Sequence, residues 1–521
     1  MSKSRKTKQV FYWLSILGLC AAAAWMFFYT TPNGLGLTND SSAYIGGARS
    51  LLAGQGYVRI GGDGLPRPIT HFPPFYSIVL AAVSSVIKQD PLRTAKWVNL
   101  VCAVLNQALF LTALLSLTGS RLTAFLGGLT FLCAAPVLQA NAYGLSETLY
   151  LTLFLIVFIL SVRAVRNGSR WQWIVIGLLS SALALTRYAG LAAVVAVMVY
   201  LLCAQPTWKR RIGSVLLYLA AFCIPFGFWL AKSSEAGESP VNRVIMLHLP
   251  SASKVEEGIR NFAGFFLPEF GGIVEKPLKF WEYGIAAGLT VLLVWVILNG
   301  IRGMFHPSEE LSHSAVYPPA LHGAAYMVML MVTVFYLDGS TLFDNRILLP
   351  FYICLLLLIS AFCSRFLERK GWTRIAAAAV LLIFTALLFE DSLDLLKEYH
   401  RNGQGFAGSE WTESETRLAA LELPKGKLLY CNRQTALSLL NDQPSYILPP
   451  MFDAASFSER ESFKSEKAWM DEEVLSGNAY VIVFNYQAMM DDAGDREWLR
   501  LVLAGLPVLN EYRDGIIFGL K

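Results

Sequence analysis

Residues 38–57 read TNDSSAYIGGARSLLAGQGY and follow the first strongly apolar run of the chain, residues 10–30. A carboxylate, Asp40, is followed here by a small-residue amphipathic helix carrying Tyr44, at the point where an apolar helix leaves the bilayer. That placement suits a general base meeting a hydroxyl at the lipid–water boundary. Asp before Ser-Ser is also a good helix N-cap, and on the residues alone both readings stand.

The chain has 521 residues, of which 55% are hydrophobic, 13% aromatic and only 16% charged. This composition belongs to a polytopic membrane protein rather than a soluble enzyme. Its formal charge of +5 comes from Lys and Arg set between apolar runs, which argues against a nucleic-acid surface. Eight Cys occur singly, seven of them in apolar stretches, with no spacing that suits a metal or a disulfide framework. No P-loop, HExxH or GxSxG occurs, so nucleotide-driven transport and zinc or serine hydrolysis lack support. The first apolar run follows MSKSRKTKQ without a convincing cleavage site before Asp40. It is read as a retained helix with a cytoplasmic N-terminus.

Runs of about twenty apolar residues predict about eleven spans. They lie near 10–30, 98–118, 122–140, 145–163, 171–187, 189–204, 212–231, 283–301, 317–337, 347–364 and 372–390. The segment 72–87, FPPFYSIVLAAVSSVI, would reach only about 24 Å as a helix against a core of about 30 Å. If it lies in the interface, the clusters Arg163/Arg166/Arg170, Lys209/Arg210/Arg211 and Arg365/Arg369/Lys370/Arg374 all fall on the cytoplasmic side. Segments 41–54 and 72–87 are therefore expected as juxtamembrane helices in one outer loop, 31–97. The polar breaks near Glu147, Arg187 and Arg346, and the loop 232–282, then share the outer face. After about residue 391 charge density becomes ordinary. The strand-like NAYVIVFNYQ, helical REWLRLVLAGL and paired EYRDGIIFGL predict a small extracytoplasmic α/β domain over 391–521.

Glu147, in SETLYLTLF, opens a span, where an acid also complements the helix dipole. With Asp40 it could divide labour, one carboxylate taking a proton and the other orienting it or holding a divalent ion. Arg187 and Tyr188 interrupt the apolar LALTRYAGL. A cation at that depth needs an anion, and a phosphate suits it better than snorkelling. Arg346 in LFDNRILLP repeats the pattern, with a local pair to Asp344 as the alternative. His71, beside Arg67 in LPRPITHFPPFYS, could touch a phosphate or sugar or merely bond locally. The loop 232–282, with Lys232, Arg243, His248 and Lys254, is long enough for a lid.

The order of these features resembles the GT-C superfamily of membrane glycosyltransferases, in the branch of protein O-mannosyltransferases and the lipid A aminoarabinose transferase. The likeness runs over about residues 10–231, through Asp40 with Tyr44, HFPPFY, ETLY and TRYAG, with FDNRILLPFY near 343–352 similar to a boundary common in such proteins. It implies a mainly α, GT-C-type helical bundle in the plasma (inner) membrane, carrying hexosyl or pentosyl transfer from a polyprenyl-phosphate donor to an extracytoplasmic acceptor hydroxyl. Asp40 would take the position of the catalytic base and Glu147 that of the second acid. Tyr44, His71, Arg187, Tyr188 and Arg346 would be substrate contacts, the two arginines toward the lipid phosphate. Asp40-Ser41 stands where an Asp-Glu pair is typical, no MIR domain is present, and a separate C-terminal domain leaves the acceptor class open. A flippase for lipid-linked glycans is the alternative, without the inverted repeats such transporters show. A scaffold that kept the fold is a third reading.

Overall fold

Backbone N–H and C=O groups find no water inside a bilayer, so long apolar runs close their hydrogen bonds internally as helices. The computed structural model describes residues 3–60, 65–235, 247, 249–266, 278–306, 309–337, 341–452 and 459–520. Arg243 and His248 lie outside the described residues. The chain begins with α1 (Lys3–Thr30) and α2 (Asn39–Leu52), the antiparallel hairpin β1 (Val58–Ile60) and β2 (Pro66–Pro68), then α3 (Phe75–Ile87) and α4 (Pro91–Thr118). It continues through α5 (Arg121–Leu132), α6 (Ala135–Ala142), α7 (Glu147–Asn167), α8 (Trp171–Thr186), α9 (Leu191–Ala204), α10 (Trp208–Glu235) and α11 (Ala252–Phe266). The last of this series are α12 (Leu278–Phe305), α13 (Glu309–His313), α14 (Tyr317–Val332), α15 (Asn345–Leu367) and α16 (Trp372–Asn402).

Among the described residues eight helices are long and apolar enough to cross a membrane, nine if the bent pair α5–α6 counts as one. The run 122–140, read as one span, forms the two helices α5 and α6, bent by 59° at Cys133–Ala134. Pro136 in the first turn of α6 lacks the N–H that would have continued the ladder. Helices α8 and α9 have 16 and 14 residues, each shorter than a hydrocarbon core of about 30 Å requires at 1.5 Å per residue.

By its internal contacts the chain forms two units. One holds residues 1–32, 70–76 and 96–401; the other holds 33–69, 77–95 and 402–521. The expected domain limit at 391 falls inside α16, which runs on to Asn402.

In the first unit, helix C-termini are tied by arginines. Arg211 is fully buried and donates to the carbonyls of Gln205 (2.8 Å), Met304 (2.7 Å) and Gly303 (3.0 Å), with its guanidinium over the Trp208 ring. It thereby closes the ends of α9 and α12 at once. Arg166 does the same for α4 and α13 through Ser116 O (2.6 Å) and Ser312 O (3.2 Å).

In the second unit, the C-terminal part contains α17 (Ser409–Thr412), α18 (Glu415–Leu421), β3 (Leu428–Cys431), α19 (Gln434–Ala436), β4 (Tyr446–Ile447) and α20 (Phe463–Leu475). It ends with β5 (Ala479–Phe484), α21 (Tyr486–Asp491), α22 (Ala493–Leu503), β6 (Val508–Tyr512) and β7 (Gly515–Phe518). The strands form one sheet in the order β4-β3-β5-β7-β6, parallel among the first three and antiparallel beyond. Strand β5, AYVIVF, is buried along its whole length. Val481 and Val483 face Met470, Val474, Leu499 and Val502, while Ile482 and Phe484 face Trp411, Ala420 and Leu437. Burial on both faces is why this strand is continuously apolar rather than alternating. Arg49 ties α2 into this unit with a two-point contact to Asp90 (2.9 and 3.1 Å) and bonds to the carbonyls of Ser438 and Leu439.

Removing Arg211 strands three carbonyls in a dry helix junction. Arg211→Ala is expected to cost about 3 kcal/mol, and Arg211→Lys to recover little because an ammonium cannot span three acceptors. Fluorescence-detected thermal unfolding in detergent measures both.

The β6–β7 turn gives a pH dependence. Burial alone lifts the Asp514 carboxyl, but bonds from Ser414, Thr416 and the backbone outweigh it and hold the carboxyl below its ordinary value. Thr416 supplies both its hydroxyl (2.8 Å) and its N–H (3.1 Å). A depressed carboxyl stabilises the fold fully above the unfolded value of about 3.9 and loses that contribution as pH falls through the lower folded value. Unfolding midpoints between pH 6 and pH 2 are expected to fall less steeply for Asp514→Asn than for the native chain.

Candidate functional site

Three breaks in helix order bring ionic groups together in the first unit. Helix α7 opens at Glu147, whose side chain is 4% exposed. Helix α8 ends at Arg187, which takes an extended backbone (φ −152°, ψ 134°) before the short 3-10 turn Tyr188–Gly190 returns the chain into α9. Gly190 allows that reversal, since a Cβ there would lie 2.8 Å from the Ala184 backbone nitrogen. Helix α15 starts behind Asp344, which accepts from Ile347 N at 2.7 Å as its N-cap. Asp344 therefore serves the helix terminus, and Arg346 reaches across the fold to α7.

Arg346 donates through Nε to Glu147 Oε1, and Nη1 of Arg187 pairs with the same oxygen. The other carboxylate oxygen, Oε2, is buried and has no hydrogen-bond partner among the described residues. Tyr326 fixes the first turn of α15 by donating to Ile347 O at 2.5 Å. These three side chains carry two positive charges and one negative. The guanidinium side chains keep 17% (Arg187) and 30% (Arg346) exposure against 4% for the acid. The carboxylate is thus the most buried member of the cluster, and the two arginine side chains keep part of their surface exposed. Two guanidiniums fixed by one carboxylate present the kind of planar donors that suit a phosphate or carboxylate.

The same arrangement bears on a divalent ion. A metal at Glu147 would sit beside two guanidiniums, and among the described residues no group of three or more His, Cys, Asp or Glu is placed to hold one. The residues around Glu147 do not fit a divalent cation.

Asp40 belongs to the second unit, in the first turn of α2. The helix begins at Thr38, whose N–H is taken by Ser41 Oγ at 3.0 Å, so Asp40 sits inside the helix and capping does not account for it. Tyr44, on the same helix, is 2% exposed, and its carbonyl accepts from Ser77 Oγ at 2.9 Å. In the first unit the Tyr188 hydroxyl accepts from Trp229 Nε1 (3.0 Å) and donates to Thr70 O (3.4 Å), which ties α10 to the segment carrying His71. His71 itself is exposed, edge-on to Phe72. The structure thus joins Glu147, Arg187 and Arg346 directly, and Tyr188 to the backbone just before His71. Tyr326 is the member that sequence reasoning passed over, having no signal beyond its place in an apolar run.

No protein-family model and no curated protein sequence matches the chain. Solved structures do. ArnT from Cupriavidus metallidurans bound to undecaprenyl phosphate matches with a TM-score of 0.54 at 13% identity, over 96% of this chain and 97% of that one. The Archaeoglobus fulgidus oligosaccharyltransferase AglB, in complex with an inhibitory peptide and a dolichol-phosphate, gives 0.52 at 11% identity, over 95% and 72%. The mycobacterial arabinofuranosyltransferase AftD gives 0.51 at 12% identity, over 97% of this chain and 40% of its own longer one. The chain has the GT-C membrane fold. Within this GT-C fold the likeness extends through the C-terminal part, beyond the residues 10–231 on which the sequence resemblance rested.

Because one carboxylate restrains two cations, Glu147→Gln is expected to destabilise the GT-C bundle more than Arg346→Gln. The double variant Glu147→Gln/Arg346→Gln should be more stable than Glu147→Gln alone, since it removes one of the two guanidiniums that the carboxylate had held together. Thermal midpoints of the four proteins test this ordering.

Proposed function

We propose that this protein is a glycosyltransferase that moves a sugar from a polyprenyl-phosphate donor to an acceptor hydroxyl on the extracytoplasmic face of the plasma membrane. The observation that carries the reading is the pair of partly exposed arginine side chains held by one buried carboxylate. It is supported by the GT-C fold and by two structures of that fold that hold a polyprenyl phosphate, undecaprenyl phosphate in ArnT and dolichol-phosphate in AglB.

In this reading Arg187 and Arg346 bind the donor phosphate, and Glu147 orients them from behind. Asp40 is the general base. Its carboxylate takes the proton of the acceptor hydroxyl, the freed oxygen bonds to the anomeric carbon, and the bond from that carbon to the phosphate oxygen breaks. Polyprenyl phosphate leaves with the electron pair, and the guanidiniums offset the negative charge that grows on it. A single displacement of this kind inverts the anomeric centre. Tyr188 holds the segment bearing His71, whose proposed role is contact with the sugar or phosphate.

The test uses the full chain in lipid nanodiscs with radiolabelled polyprenyl-phosphate sugars and a cell-envelope acceptor extract. Asp40→Asn is expected to lower turnover about 10²- to 10⁴-fold, as loss of a general base does, with undecaprenyl phosphate binding unchanged. Arg346→Gln is expected to weaken that binding roughly ten-fold, as loss of one charge-assisted pair does. Full transfer activity in Asp40→Asn would overturn the assignment of the base. Absence of turnover by the native chain on every donor would overturn the reading as a whole.

A further inference from the structure

Arg346 can serve only if the start of α15 is held in place, and two groups outside the ion cluster hold it. Helix α11 is amphipathic. Gly258, Asn261, Phe262 and Phe265 recur on one face at helical spacing, while Glu256, Glu257 and Arg260 are exposed on the other. Phe265 stacks on Tyr352 of α15 at 4.1 Å between ring centres, and Phe262 packs on Phe351 at 5.7 Å. The two helices approach closely beside Phe343, where a Cβ on Gly258 would come within 2.7 Å of the Phe343 Cβ.

The polar contacts at this junction converge on the three residues before Arg346. Asn261 Nδ2 donates to Phe343 O at 2.9 Å. The Tyr352 hydroxyl donates to Asn261 O at 3.1 Å and lies 3.4 Å from Asn345 Oδ1. Asp344 between them caps α15 itself. The turn 343–345 is thus pinned from α11 and from the next turns of α15, and Arg346 follows it directly.

We infer that Asn261 and Tyr352 are positioning residues for Arg346, so that the seating of α11 sets how tightly the site holds a phosphate. The inference rests on the reading of Arg346 as a phosphate ligand. Neither side chain has to touch the ligand. Each removes freedom from the segment that aims the guanidinium, and displacing such a segment by about 1 Å is enough to lose much of its interaction with a bound group.

The experiment measures the Kd of undecaprenyl phosphate for the full chain in nanodiscs, together with thermal midpoints. Asn261→Ala and Tyr352→Phe are each expected to raise Kd about five-fold. Tyr352→Phe keeps the ring that stacks on Phe265, so it reports on the hydroxyl even if Asn261→Ala fails to fold. Each change is then repeated in an Arg346→Gln background, where it is expected to have no further effect on Kd. An equal loss in both backgrounds would overturn the inference, because a general structural defect does not depend on Arg346. So would an unchanged Kd in both single variants while Arg346→Gln weakens binding, and in that case the phosphate reading stands. An unchanged Kd in Arg346→Gln itself would remove the phosphate reading and this inference together.

Discussion

One carboxylate oxygen restrains two guanidiniums, and the arrangement around Glu147 follows from that constraint. A lone acid buried at the start of α7 would be costly, and so would either arginine in apolar surroundings. Together they reduce one another's penalty and fix three helix ends: the start of α7, the end of α8 and the start of α15. The arginines are the more exposed members and the acid the most buried. In the proposed reading stability and phosphate recognition therefore share the same atoms, as expected where a membrane protein admits ionic groups at all.

Arginine has a different task elsewhere in the molecule. Arg211 and Arg166 close helix C-termini in one unit, and Arg49 joins α2 to backbone carbonyls and to Asp90 in the other. In each case a planar fork of donors meets several acceptors at once, which a lysine could not do. Positive charge near helix ends is thus partly architecture, beyond any part it plays in orienting the chain across a bilayer.

The helical layout was legible because a bilayer demands long apolar runs, and each of these runs forms helix. The C-terminal sheet was legible where burial on both faces left an unmistakable signature, as in AYVIVF. Local competition was harder to read. Thr38 rather than Asp40 begins α2, Asp344 caps α15, and Pro136 breaks a run that hydropathy renders as one span. Among the site residues, the oddity of Glu147, Arg187 and Arg346 in apolar surroundings was plain, but their mutual pairing was not. Partners up to 199 residues apart leave no local pattern, and Asn261 and Tyr352 look like ordinary members of an amphipathic and an apolar helix.

The order in which the cluster's members leave the ribosome matters to its chemistry. Glu147 is made first, Arg187 follows after one helical hairpin, and Arg346 arrives 199 residues behind the acid. A half-synthesised bundle can therefore shelter a neutral acid–base pair, which the membrane tolerates better than any unpaired charge. Only the arrival of α15 adds the second cation. The three-way ion cluster is thus closed only when the bundle is nearly complete, so the docking of α15 is the step that locks the start of α7 and the end of α8, made long before it, into one junction.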